Sequence, residues 1–89
     1  MQTIRLIVKG KVQGVFYRAF VRDTAEQMGI KGWVKNLPDK NVEIQATSSE
    51  EALKKFIDLC RQGPSRAVVG EIIIEELPTE QFNDFRIMR

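Results

Sequence analysis

Gly10-Lys11-Val12-Gln13-Gly14-Val15-Phe16-Tyr17-Arg18, GKVQGVFYR, decides how the fold is read, because the residue periodicity changes across it. Before it, Ile4, Leu6 and Val8 alternate with Arg5 and Lys9, the period-two pattern of a strand with one buried face. After it, Phe20, Val21, Thr24, Ala25 and Met28 recur at three- and four-residue spacings, which predicts a helix from about Tyr17 to Met28. Gly29 stands where a left-handed C-cap would stop that helix. The nine residues therefore form a loop that carries the chain from a strand into a helix. Successive N–H groups of such a loop can point inward, and the helix N-terminus adds roughly half a positive charge, so the position suits an anion.

Downstream, residues 30–36 (IKGWVKN), 37–41 (LPDKN) and 42–48 (VEIQATS) read as strand, turn and strand, with Val42, Ile44 and Ala46 alternating against Glu43 and Gln45. The turn holds Pro38, Asp39, Lys40 and Asn41, and Asn41 is the expected left-handed residue because asparagine tolerates a positive φ. Ser48 and Glu51 have capping-box spacing. Ala52, Leu53, Phe56, Ile57, Leu59 and Cys60 then supply the apolar stripe of a second helix ending at Gly63-Pro64. Residues 67–77 (AVVGEIIIEEL) are rich in β-branched side chains and read as a strand, and Phe85 and Ile87 alternate with Arg86 and Met88 in a short terminal strand. The order β, α, β, β, α, β plus a short β predicts an α+β, ferredoxin-like split βαβ sandwich: an antiparallel sheet with two helices on one face and a short C-terminal strand.

The chain has 89 residues, which predicts a single domain over 1–89. It has no histidine, so Ser–His and Cys–His nucleophiles, imidazole bases and His-containing zinc sites are excluded. The single cysteine, Cys60, cannot form an internal disulfide, which fits a reducing compartment; it is expected in the core of the second helix, and a cytoplasmic location is expected. No uncharged stretch approaches the ~20 residues of a membrane span. The net charge of +2 is unevenly distributed: residues 1–22 carry Arg5, Lys9, Lys11, Arg18 and Arg22 and no acidic group. A small anionic ligand would account for that excess, and so would chance surface charge. A nucleic-acid domain usually shows a stronger one.

Within the loop, Gly14 would let the backbone fold around a ligand, and Arg18 could offer a planar fork of donors to phosphate oxygens. A cation in the first helical turn opposes the dipole, so helix stability alone does not explain it. On spacing alone a second reading stands beside this one: the glycines make a turn, Arg18 is a solvated charge, and Val12, Val15, Phe16 and Phe20 are core residues. Neither GK[ST] nor GxGxxG is present. GWVKN, Gly32 to Asn36, ends a strand at an amide that can donate and accept and so hold a water, but an asparagine before Leu-Pro-Asp is, taken alone, usually a turn residue. Trp33 reads as core or lid packing.

GKVQGVFYR resembles the first signature of the acylphosphatase family, Gly-x-Val-Gln-Gly-Val-x-[Phe/Tyr]-Arg, at every fixed position, and GWVKN resembles the second at the expected distance. With the small size, the strand order and the closing FRIMR segment, the resemblance spans essentially the whole chain. It implies that backbone N–H groups of Gln13, Gly14, Val15, Phe16, Tyr17 and Arg18, with the Arg18 guanidinium, cradle the phosphoryl group of an acyl phosphate. It implies that Asn36 positions the attacking water. The leaving group is a carboxylate with a pKa of about 4, so it needs no general acid, and neither metal nor cofactor is expected.

Two positions depart from the family pattern, Lys40 in the hairpin turn and Ser48 after the third strand, where glycines are usual. The partner expected is a small-molecule acyl phosphate, with no nucleic acid and no membrane, and a monomer. RNA-binding sheets of related fold need exposed aromatics on central strands, whereas Phe16, Tyr17 and Phe20 fall on the loop and helix. Similar domains also occur fused to hydrogenase-maturation carbamoyltransferases, so a phosphate- or partner-binding module without turnover is the alternative; the length and complete signatures count against it.

Overall fold

Alternation along β1 (Gln2–Lys11) turns Ile4, Leu6 and Val8 to one face, where all three are buried, and the rest of the fold is assembled over that face in a computed structural model that describes residues 1–89. The other elements are α1 (Tyr17–Met28), β2 (Lys31–Asn36), β3 (Val42–Ser48), α2 (Glu50–Gln62), β4 (Val68–Leu77) and β5 (Phe85–Met88). They form one sheet of order β4-β1-β3-β2-β5 and two helices. Because β1 and β2 each pair antiparallel with β3, they run parallel to each other with β3 inserted between them; β3 and β4 likewise flank β1. This is the ferredoxin-like arrangement of two interleaved βαβ units read from the element order. The four long strands pair antiparallel, and the short β5 adds to the edge of β2 in parallel.

The core lies between sheet and helices. Leu6, Val34 and Ile44 from the strands meet Val21 and Ala25 of α1 and Leu53, Phe56 and Cys60 of α2, and the Phe56 ring stands edge-on to Phe85 at 6.2 Å. Truncating a buried ring such as Phe56 to alanine costs about 3–5 kcal/mol. On the opposite face, Thr3 and Thr47 are both buried with hydroxyls 2.6 Å apart. Thr47 donates to the Glu80 carbonyl at 2.7 Å, and the Glu80 N–H donates to Thr3 at 2.8 Å. This clasp, with the Gly32 N–H on the Asp84 carbonyl at 2.8 Å, returns the chain to β2, so that Ile87 pairs with Val34.

Three expectations are corrected. The α2 cap is Ser49, whose hydroxyl accepts from the Ala52 N–H at 3.2 Å; Ser48 instead closes β3 opposite Gln2, because ladder pairing keeps it in the strand. In the β2–β3 turn, Lys40 rather than Asn41 takes the positive φ, 73°. Asn41 is held by Asp39, whose carboxylate accepts its N–H and its side-chain amide at 3.1 Å each. Phe16 is not in the core: it is 77% exposed, whereas Val12 and Val15 are buried as expected and Phe20 packs partly against the core.

Candidate active site

The loop begins where β1 loses register with β4, between Lys9 and Gly10. Gly10 has φ 129°, and a Cβ there would sit 2.2 Å from the Val68 carbonyl oxygen, so only glycine can carry the chain out of the sheet at this point. Gly14 follows at φ 72° with open space around it; its requirement is conformational, not steric. Phe16 is also left-handed, at φ 62° and ψ 22°, and serves as the N-cap residue of α1 without a capping side chain. Left-handed residues interleaved in a short loop turn successive N–H groups to one side, forming an anion-binding concavity. The N–H groups of Gln13, Gly14, Val15 and Phe16 donate to no backbone or side-chain oxygen. The first turn of α1 holds no acidic residue to answer its positive end.

Arg18 follows immediately in that turn. Of the five basic residues in the N-terminal quarter, Arg5 bridges Glu75 at 2.6 Å and Glu43 at 4.0 Å, and Arg22 pairs with Asp23 at 3.2 Å. Arg18 is partly buried and pairs with no carboxylate. It lines a concavity of about 310 Å³ together with Val12, Gly14, Phe16, Tyr17, Ala19 and Ile87. The charge excess of the sequence thus resolves into two arginines paired with carboxylates, two unpaired lysines, Lys9 and Lys11, that do not line the concavity, and one free guanidinium, Arg18, that lines it beside unpaired N–H donors, a pattern suited to an anion.

Asn36 closes β2. By alternation with Gly32 and Val34 it belongs to the helix-side face, and its Oδ1 is buried without a hydrogen-bond partner. An unmet buried acceptor costs about 1–3 kcal/mol, and this one is suited to accept from a small donor such as water. Asn36 does not line the Arg18 concavity; it stands one residue before Leu37, which the loop holds directly. The Gln13 side chain spends both amide hydrogens on the hairpin turn, donating to the Leu37 carbonyl at 3.0 Å and the Asn41 carbonyl at 2.9 Å. The Gln13 side chain therefore fastens the loop to the Asn36 strand, and only its backbone N–H remains for a ligand.

Tyr17 performs the matching task toward α2. Pro64 has no N–H to offer the Cys60 carbonyl four residues earlier, and the buried Tyr17 hydroxyl fills that place at 2.7 Å. Burial pushes the Tyr17 phenol far up, with the adjoining Cys60 adding to it. Burial likewise pushes the Cys60 thiol far up, against a smaller opposing effect of its hydrogen bond with Tyr17. A protonated, fully buried thiol is no nucleophile at neutral pH. No three Cys, Asp or Glu side chains converge on a metal-sized site.

A second concavity, of the same volume, is walled by Trp33, Phe82, Arg86 and Met88, so size does not choose between them. Chemistry does: the Arg86 Nε is already bound to both Asp84 oxygens at 3.0 Å, and Trp33 lies under the Lys35 ammonium at 5.3 Å. Of the residues singled out in the sequence, Gly14, Phe16, Tyr17 and Arg18 meet in the first concavity, Val15 is buried, and Gln13 and Asn36 adjoin through the hairpin. Sequence reasoning missed the Gln13 strut, the exposure of Phe16 and the arrival of Ile87. The signal available for Ile87 was its alternation with Phe85 on the terminal strand.

The acylphosphatase family profile matches residues 4–87. An acylphosphatase of Marinobacter nauticus is 51% identical over 82 residues, covering 91% of this chain and 89% of that protein. The crystal structure of Bacillus subtilis acylphosphatase superposes over all of both chains with a TM-score of 0.97 at 38% identity. A segment amounting to 12% of full-length HypF, solved in a phosphate- and nucleotide-bound form, matches 99% of this chain with a TM-score of 0.88 at 28% identity. On this agreement of sequence and fold, the chain belongs to the acylphosphatase family and is an enzyme of acyl phosphate hydrolysis.

Proposed function

We propose that the chain hydrolyses the carboxyl–phosphate bond with the phosphoryl group held by the backbone N–H groups of residues 13–18 and the Arg18 guanidinium, and with the attacking water positioned by Asn36. The observation that carries this reading is the set of unpaired loop N–H groups beside an unpaired Arg18. In the step itself, the water oxygen bonds to phosphorus as the bond from phosphorus to the acyl oxygen breaks. The electron pair leaves on a carboxylate whose pKa of about 4 needs no proton donor. The water's proton passes to a phosphate oxygen of the substrate. Equatorial charge falls to the loop donors and the guanidinium, so catalysis consists of positioning and charge stabilisation. The buried Asn36 Oδ1, free of any protein donor, supports its role toward the water. All these groups come from one chain, so the reading needs no partner subunit, and it takes the chain to act as a monomeric single domain.

Hydrolysis of benzoyl phosphate tests the reading. Arg18→Ala should abolish turnover, a loss of about 10³-fold or more, on the scale of removing a principal transition-state donor. Asn36→Ala should lower kcat about 10²-fold while phosphate affinity changes only a few-fold. Unchanged rates in both variants would contradict the mechanism. The likeness to a HypF segment favours one second reading, a phosphate- or partner-binding module. Phosphate binding without hydrolysis of any acyl phosphate would select it.

A further inference from the structure

We propose that Phe16 and Ile87 form an acyl-group subsite that favours acyl phosphates with an apolar acyl group; this rests on the phosphate placement proposed above. Five of the seven residues around the concavity are apolar, but Val12 and Tyr17 are at most 1% exposed and offer a ligand almost no surface. The apolar wall a ligand can touch consists chiefly of the Phe16 ring, 77% exposed, and the partly exposed Ile87.

Neither packing nor backbone preference explains a phenylalanine at position 16. It contributes nothing to the core, and a left-handed conformation costs a residue with a Cβ about 1–2 kcal/mol. Ile87 is brought opposite by β5, which the Thr3–Thr47–Glu80 clasp and the Gly32–Asp84 hydrogen bond hold against β2. With phosphorus over the loop N–H groups, the acyl carbon is one bridging oxygen away, so its substituent leaves the cradle across this rim. Apart from Arg18 no cationic side chain lines the concavity, so a second carboxylate on the acyl group has no partner there. An apolar substituent would instead remove the Phe16 and Ile87 surfaces from water.

The experiment compares kcat/KM for benzoyl phosphate and acetyl phosphate in the wild type, Phe16→Ala, Phe16→Gly and Ile87→Ala. The ratio between substrates cancels any common damage to the loop. The expected result is a benzoyl-to-acetyl ratio about tenfold lower in both Phe16 variants, at the lower end of what apolar contacts contribute to discrimination, and a smaller fall, about threefold, in Ile87→Ala, whose surface is only partly exposed. Glycine relaxes the left-handed backbone and alanine does not, so equal falls assign the effect to the ring. A ratio within about twofold of wild type in Phe16→Ala, or divergence between the alanine and glycine variants, overturns the subsite alone. Hydrolysis of neither substrate by the wild type overturns the underlying assignment, and the subsite with it.

Discussion

The two βαβ units of this fold start their helices in opposite ways. At α2, Ser49 caps the first turn and Glu50 and Glu51 complement its positive end, while Arg61 sits in the last turn. At α1 there is no capping side chain and no acidic residue; a left-handed Phe16 precedes the helix and Arg18 adds positive charge to an end already positive. The same local architecture is thus finished for stability in one half and left open in the other. What α1 forgoes, about 1 kcal/mol for a cap and some tenths for each misplaced charge, is the stability lost by leaving its N–H donors free for an anion.

Substitutions on each side of this contrast should separate the two roles. Arg18→Lys retains the charge at α1 but not the planar fork, and kcat/KM for benzoyl phosphate should fall about 10²-fold with little change in melting temperature. Removing the Tyr17 hydroxyl in Tyr17→Phe leaves the Cys60 carbonyl unmet and should cost about 2 kcal/mol in urea unfolding. The same residue predicts an alkaline limit. Burial holds the phenol and the thiol protonated in the folded state, so their contribution is complete below the unfolded thiol pKa of about 8.5. Above it, stability should fall by about 1.4 kcal/mol per pH unit, and by roughly twice that beyond pH ~10, where the unfolded phenol also ionises. Tyr17→Phe should abolish the second, steeper portion of that pH profile.

Gly14→Ala places a Cβ on a left-handed residue with open space around it, so the expected loss is the conformational 1–2 kcal/mol or so, accompanied by weaker phosphate binding. The smallest effect belongs to α2: Ser49→Ala should lower stability by about 1 kcal/mol and leave kcat and KM as they were.

Periodicity made much of this legible. The α1 span from Tyr17 to Met28, the hairpin strands and the strand-loop-helix placement of the anion loop all follow from local patterns of burial. What failed was set by partners distant in sequence or by backbone angles. Ser48 and Ser49 both precede a pair of glutamates, and only pairing with Gln2 shows which serine belongs to the strand. The positive φ went to Lys40 because Asp39 already held Asn41, which residue preference alone does not reveal. Phe16 reads as core by type, yet its left-handed conformation at the mouth of the loop puts it in solvent. The amide hydrogens of Gln13 find their acceptors 24 and 28 residues away, beyond any local pattern.

A titration of the amide NMR signals of the wild-type chain with inorganic phosphate compares the two helix starts in one sample. Saturable shifts are expected at Gln13 to Arg18, with the amides of Glu50 to Leu53 unmoved. Shifts at the start of α2 and none in the loop would contradict the assignment of the anion site to the loop.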